Sequence, residues 1–162
     1  MKEKTEKTFS HIDDSGNARM VNIEDKKITQ RKAIAIGIVK TQKDTISLIK
    51  QGGFKKGDVL GVARIAGIMA AKNTSQLIPM CHNIPLNHIE IDFEIEDSGI
   101  ISIKASARAT GKTGVEMEAL TAVSVASLSI YDMCKSADKA ITIEQIKLVH
   151  KSGGKQGIVN LK

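Results

Sequence analysis

Between residues 88 and 108 the chain alternates apolar and polar positions more regularly than anywhere else. Ile89, Ile91, Phe93 and Ile95 interleave with Glu90, Asp92, Glu94 and Glu96. After Asp97-Ser98-Gly99, the positions Ile101, Ile103, Ala105 and Ala107 interleave with Ser102, Lys104, Ser106 and Arg108. A period of two predicts a β-hairpin with one apolar face and one charged face. RKAIAIGIVK (31–40) sets Ile34, Ile36 and Ile38 between smaller residues and predicts another strand. TQKDTISLIKQGG (41–53) predicts a short helix stopped by Gly52-Gly53. Asp58 is placed to cap a second helix, VLGVARIAGIMAAK (59–72), whose only charges are Arg64 and Lys72. A helix that apolar is buried on most sides. A loop from Pro79 to Pro85 leads into the hairpin, and a long helix over about 114–135 follows it. In AITIEQIKLVH (140–150), Ile141 and Ile143 share one parity and Ile146 and Leu148 the other. That slip predicts a bulge near Glu144–Gln145.

Strand, helix, strand, strand, helix, strand is the order of an α+β ferredoxin-like sandwich, an antiparallel βαββαβ sheet with its helices on one face. The short helix after the first strand is an addition to it. Residues 1–20 are polar and read as a flexible arm, residues 21–150 as the folded domain, and KSGGKQGIVNLK (151–162) as a flexible, basic, glycine-rich tail. No internal repeat or low-complexity block interrupts this order.

Composition narrows the partners. At 162 residues and 41% hydrophobic, the chain has enough apolar surface for one domain with a core. No window has the length and apolarity of a membrane span, and the mixed-charge start resembles neither a signal nor a transit peptide, so the expectation is a cytoplasmic protein. Cys81 and Cys134 form no disulfide framework and no CxxC pair. A net charge of +6 suggests an anionic partner. With three phenylalanines, one tyrosine and no tryptophan there is little to stack nucleobases on. A small molecule carrying phosphate fits better than RNA.

The segment GKTGVEMEAL (111–120) begins like a phosphate loop but fails the pattern, because the position that requires the first glycine is Ser106. Thr113 to Glu116 fits a capping box instead, with a carboxylate at the positive end of the helix dipole. Glu118 has no such role. On an ideal helix it points about 160° from Glu116 and within about 40° of Asp132, about 21 Å further along the axis. Asp132 and Lys135, at i and i+3, make an ion pair that could be a plain surface pair. One small ligand cannot reach both Glu118 and Asp132 on a single chain. If both serve one site, that site lies between two antiparallel copies, and the small residues Ala119, Ala122, Ser124, Ala126, Ser127 and Ser129 would permit close helix approach.

Other candidates are weaker singly. Met80-Cys81-His82 lies in the proline-bounded loop; adjacent Cys and His without a second pair make a poor metal signature, whereas a histidine that places or protonates a substrate suits its near-neutral pKa. His88 reads as a surface residue. Lys55-Lys56-Gly57-Asp58 is either a solvated turn or a lysine held where a helix start could meet phosphate. Lys151-Ser-Gly-Gly-Lys155 is either a loose tail or a lid over phosphate. Arg31, Arg64, Lys72 and Arg108 add positive charge.

Taken together, KGDVLGVARIAGIMAAKNTSQLIPMCHNIPL, GKTGVEMEALTAVSVASLSIYDMCK and KSGGKQG closely resemble the MoaC family, the cyclic pyranopterin monophosphate synthases of molybdenum-cofactor biosynthesis. The resemblance runs from about Arg19 to Gly157. Met80, Asn83 and Gln156 depart from the residues common in that family at those positions, and none of these changes removes a charge. The resemblance implies conversion of 3′,8-cyclo-7,8-dihydro-GTP to a cyclic pyranopterin monophosphate with loss of pyrophosphate. It implies Asp132, Lys135 and Lys56 as catalytic residues. It implies Met80, Cys81, His82, Glu116, Met117, Glu118, Arg31 and Lys151 as substrate-binding residues. It further implies a homohexamer, a trimer of dimers with sites at dimer interfaces, with no metal site or cofactor of the protein's own and room for a divalent cation beside the triphosphate. A carboxylate and a lysine whose pKa values move toward neutrality would serve the repeated proton transfers.

Two alternatives stand beside this reading. The element order is also that of RNA-recognition domains, but the third strand shows Ser102, Lys104, Ser106 and Arg108 where those display aromatic rings. A cyclase or lyase acting on unmodified GTP would need the same cations.

Overall fold

The computed structural model describes Ile12 and residues 15–161. Five strands form one antiparallel sheet in the order β2-β3-β1-β4-β5. The elements run β1 (Thr29–Lys40), α1 (Lys43–Lys50), α2 (Val59–Lys72), α3 (Thr74–Leu77), β2 (His88–Glu96), β3 (Ile100–Gly111), α4 (Glu116–Cys134), β4 (Thr142–Gly154) and β5 (Gly157–Asn160). With β1 and β3 at the centre and β2 and β4 outside them, this is the ferredoxin-like α+β sandwich, extended by α1, α3 and the edge strand β5. Most of the expected flexible arm lies outside the described residues. The segment read as a tail instead completes β4 and turns back as β5, because the sheet offers it a free edge to pair with.

Alternation along β1 sorts the two faces of the sheet. Ala33, Ala35 and Val39 are fully buried with Gly37, whereas Ile34, Ile36 and Ile38 are only partly so. The helices therefore sit on the small-residue side, where Gly37 lies against Val123 and Ser127 of α4. The same economy of size joins the helices. A Cβ at Gly67 would overlap the Ala122 carbonyl, so α2 and α4 lie backbone against backbone. Ala122 and Ala126 of α4 thus meet α2 of the same chain, Ser127 faces β1, and with Ala119 all are buried.

The expected bulge in β4 is present. Ile38 pairs with Gln145 and Val39 with Ile143, which leaves Glu144 as the extra residue. A second shift leaves Val149 between partners Leu148 and His150. Asp58 caps α2, accepting a hydrogen bond from the Gly61 amide at 3.0 Å. The capping box expected at Thr113 is absent, since α4 begins at Glu116 behind Val115 with no side-chain cap. Beyond α4, buried Asp138 fastens the chain to the start of α1. Its carboxylate accepts from the Thr41 hydroxyl (2.7 Å) and the Gln42 (2.9 Å) and Ala140 (2.8 Å) amides. Among the described residues, no helix is long and apolar enough to cross a membrane.

Candidate active site

The first turn of α4, the 79–85 loop and the end of β4 converge on a cavity of about 410 Å³. Met80, Cys81, His82, Glu116, Met117, Glu118 and Lys151 all line it. The loop arrives there because α3 ends at Leu77 and Pro79 and Pro85 bar any further helix or ladder. Lys151 arrives from β4, where it is the register partner of Ala33. Its ammonium pairs with Glu116 at 3.4 Å. Glu116, no longer a cap, lies back over Gly114, where a Cβ would overlap its carboxylate.

Glu118 is 3% exposed. Burial, and secondarily the nearby Glu116 charge, raise its pKa above the ordinary carboxylate range, against a lowering bond from its own backbone amide. Burial and the charge of Glu118 likewise push the Cys81 thiol up, so this cysteine is a neutral, weakly polar wall rather than a thiolate nucleophile. His82 Nε2 lies 2.9 Å from the Val21 carbonyl.

A second cavity of about 280 Å³ shares Gly114, Glu116 and Lys151 with the first and adds Arg31, Ser152 and Lys155. The bend that shapes it depends on Gly153, at φ 91°, a conformation that a side chain disfavours and where a Cβ would strike the Gln30 carbonyl. Arg31 therefore stands beside the first cavity, and its guanidinium is already engaged with the carbonyls of Gly111 and Lys112, both at 3.1 Å. The two joined spaces form a trough with an acidic, half-apolar end at Glu118 and a cationic end at Arg31 and Lys155. A ligand with a polar ring and a phosphate tail has the matching shape and charge.

The other three candidates meet at the far end of α4. Asp132 pairs with Lys135 at 2.7 Å and with Lys56 at 3.0 Å, and Lys56 also donates to the Asp132 main-chain carbonyl at 2.8 Å. All three side chains are about half exposed. The hydrogen bond from Lys135, then that from Lys56, hold the Asp132 carboxyl below its usual range, and the same bond to Asp132 raises Lys135. The expected drift toward neutrality is therefore reversed: each partner stabilises the other's charged form, and almost no burial opposes them. Of the two carboxylates that spacing puts on one side of an ideal helix, Glu118 is covered and Asp132 open. The difference arises because the Met80–His82 loop roofs only the first turn. Fourteen residues of helix, about 21 Å, separate the two groups, and no described cavity joins them.

The remaining cations go elsewhere. Arg64 donates to the Ile91 carbonyl at 3.0 Å and lies over the Phe93 ring, 5.2 Å from its centre. Arg108 and Lys32 line a further cavity that meets the second one only at Arg31 and Ser152. His88 is exposed beside Glu90. Sequence reasoning missed Val21, Glu24 and Lys112 as neighbours of the site. Val21 and Glu24 act through main-chain carbonyls, which carry no residue-type signal, and Lys112 was visible only inside a failed phosphate-loop motif.

Comparison with known proteins shows the family. The MoaC family matches residues 20–154. A cyclic pyranopterin monophosphate synthase of Desulfatibacillum aliphaticivorans is 57% identical over 150 residues, covering 92% of this chain and 94% of that protein. One of Clostridium perfringens (strain 13 / Type A) is 56% identical over 153 residues, covering 94% and 97%. Another, of Chloroflexus aggregans (strain MD-66 / DSM 9485), is 54% identical over 150 residues, covering 92% and 91%. With the match spanning every element from β1 to β4 and both ends of α4, the chain belongs to the MoaC family.

Proposed function

We propose that this protein is a cyclic pyranopterin monophosphate synthase. It converts 3′,8-cyclo-7,8-dihydroguanosine 5′-triphosphate to cyclic pyranopterin monophosphate and pyrophosphate, an early step in molybdenum-cofactor biosynthesis. The observation that carries this reading is the 57% identity to a synthase across 94% of that relative's length. The trough described above gives it a physical basis.

In this reading the guanine-derived ring occupies the 410 Å³ cavity, where Glu118 accepts hydrogen bonds from its amino edge. The triphosphate follows the cationic end, met by Lys151, Lys155 and Arg31. Asp132, Lys135 and Lys56 come from a second copy of the chain. Lys135 enters protonated, as its pairing with Asp132 favours, and serves as the acid when ring nitrogens need protons. Lys56 exchanges protons in the opposite sense, and Asp132 holds the two ammonium groups in place. In the last step a ribose-derived hydroxyl oxygen bonds to the α-phosphorus as the α–β phosphoanhydride bond breaks. Pyrophosphate leaves with that electron pair, and the hydroxyl proton passes to a basic side chain.

Assembly as a trimer of dimers would bring the two ends together. Exposed apolar side chains on both helices support such contact: Ile65 (62% exposed) and Met69 (58%) on α2, Leu128 (56%) and Tyr131 on α4. No resident cofactor is invoked, so exhaustively chelated protein should keep its activity unless a divalent ion must accompany the triphosphate. The whole reaction suits a cytoplasmic enzyme with a diffusible substrate.

The test is incubation of purified protein with the cyclised compound and, separately, with GTP, followed by mass spectrometry and pyrophosphate detection. Product and pyrophosphate are expected from the cyclised compound alone. Equal pyrophosphate release from GTP would favour a cyclase or lyase on the unmodified nucleotide.

A further inference from the structure

Ahead of β1 the chain makes a tight turn whose role the family assignment does not cover. Asn22 Oδ1 accepts from the Glu24 amide at 2.8 Å, and the Lys26 amide donates to the Ile23 carbonyl at 3.1 Å. These bonds close the turn on itself. Two further hydrogen bonds among the described residues tie it to the rest of the protein. The Val21 carbonyl takes His82 Nε2, and the Glu24 carbonyl accepts from Lys112 Nζ at 2.6 Å. The base of Lys112 is itself held, because Arg31 grips the Gly111 and Lys112 carbonyls. The turn is thus a brace between two loops that border the same cavity, one carrying His82 and the other opening α4.

A carbonyl oxygen only accepts, so the ring atom facing Val21 must carry a hydrogen. In the neutral imidazole this fixes the Nε2–H tautomer and leaves Nδ1 as the sole acceptor. Because His82 lines the 410 Å³ cavity, the tautomer decides whether a bound molecule meets a ring donor or a ring acceptor. The free ring already leans toward this tautomer, and the placement of Val21 makes it the single form.

We propose that Lys112 is a positioning residue: by holding the Glu24 carbonyl it keeps the 21–26 turn seated, and so sets His82 as an Nδ1 acceptor for the substrate. The catalytic half of this statement rests on the proposed synthase reaction; the tautomer half does not. Lys112→Met keeps the aliphatic stem and removes the donor, and Lys112→Arg restores a donor of similar reach.

The experiment is long-range ¹⁵N–¹H correlation of the histidine rings in full-length, ligand-free protein at mildly alkaline pH, with His82 assigned by its loss in His82→Gln. A single Nε2–H tautomer is expected for the unaltered protein and for Lys112→Arg, and a mixture for Lys112→Met. Turnover of the cyclised compound by Lys112→Met should fall about 10- to 100-fold, chiefly in kcat, with recovery in Lys112→Arg. Identical tautomer populations in all three proteins, or an Nδ1–H ring in the unaltered one, would overturn the brace. A shifted tautomer with unchanged kcat would overturn its part in the reaction. If the unaltered protein turned over no cyclised compound, the synthase reading would fail while the ring spectra still decided the brace.

Discussion

The two ends of α4 hold the same kinds of side chain under opposite conditions. At the first turn, Glu118 is buried beneath a loop, its pKa raised by burial, with a shaped cavity beside it. At the last turn, Asp132 is open to solvent, lowered by hydrogen bonds to Lys135 and Lys56, and no described cavity joins it to that pocket. One end is finished by a single chain. The other is a set of charges that satisfy one another in the open. An exposed ion triad is worth little to folding, because solvent screens it.

The sharpest way to break the comparison is at the open end. Asp132→Asn and Lys135→Ala should each lower turnover by about 10²- to 10⁴-fold, the usual range for loss of proton-transfer machinery. Their melting temperatures should stay close to that of the unaltered protein, since the groups are half exposed. Near-normal turnover with intact folding would remove the triad from the mechanism. Mixing then tests whether the ends belong to one site. Glu118→Leu, which removes the acceptor altogether, and Lys56→Ala, inactive apart, should recover about a quarter of full activity after co-refolding, because half of the randomly formed dimers are mixed and each holds one intact site of two. No recovery would place the two ends in separate cavities.

Asp138 probes how the open end is held. Burial opposes its charge, but the Thr41 hydroxyl and two backbone amides outweigh that cost and keep its pKa low. Asp138→Ala should destabilise the fold by about 1–3 kcal/mol, because it removes the shared acceptor of two amides and a hydroxyl that are only part-buried. Urea unfolding at pH 7 measures this. The folded pKa lies below the unfolded one, so the stabilising contribution is present above the unfolded value of 3.8 and fades as pH falls through the folded value. A difference between the two proteins that persisted undiminished at pH 2 would mean the bonds do not act through the ionised carboxylate.

How much of this was legible from residues alone depended on distance along the chain. Helix α2 could be bounded at both ends, because Asp58 and the apolar run 59–72 are local signals. The β2–β3 hairpin and the extra residue Glu144 followed from parity. The Asp132–Lys135 pair followed from helical spacing. What failed was long-range or carried by the backbone. The Lys56–Asp132 bond joins residues 76 apart. Strand β5 is too short to announce itself and forms only because β4 presents an edge. Alternation in β1 predicted two faces but not that the smaller one would receive the helices, a choice set by how closely α4 must approach. The capping box matched in letters and failed because Glu116 had a competing partner in Lys151.

The smallest expected effect lies at the closed end, and it has the opposite sign to a typical active-site loss. Glu118 is a carboxylate that the fold would rather keep neutral, since burial raises its pKa. The folded state therefore binds its proton more tightly than the unfolded state does, and stability falls as pH rises from the unfolded value of 4.5 through the folded one. Glu118→Gln removes the charge and keeps the shape. It should melt slightly higher than the unaltered protein at pH 7, and the gap should close toward pH 4, where both side chains are neutral. Its KM for the cyclised compound should rise at the same time, because an amide cannot accept from the amino edge as a carboxylate does. A variant less stable at pH 7 would show that the Glu118 carboxylate is held by the fold for its own sake, and the asymmetry between the two ends of α4 would lose its functional meaning.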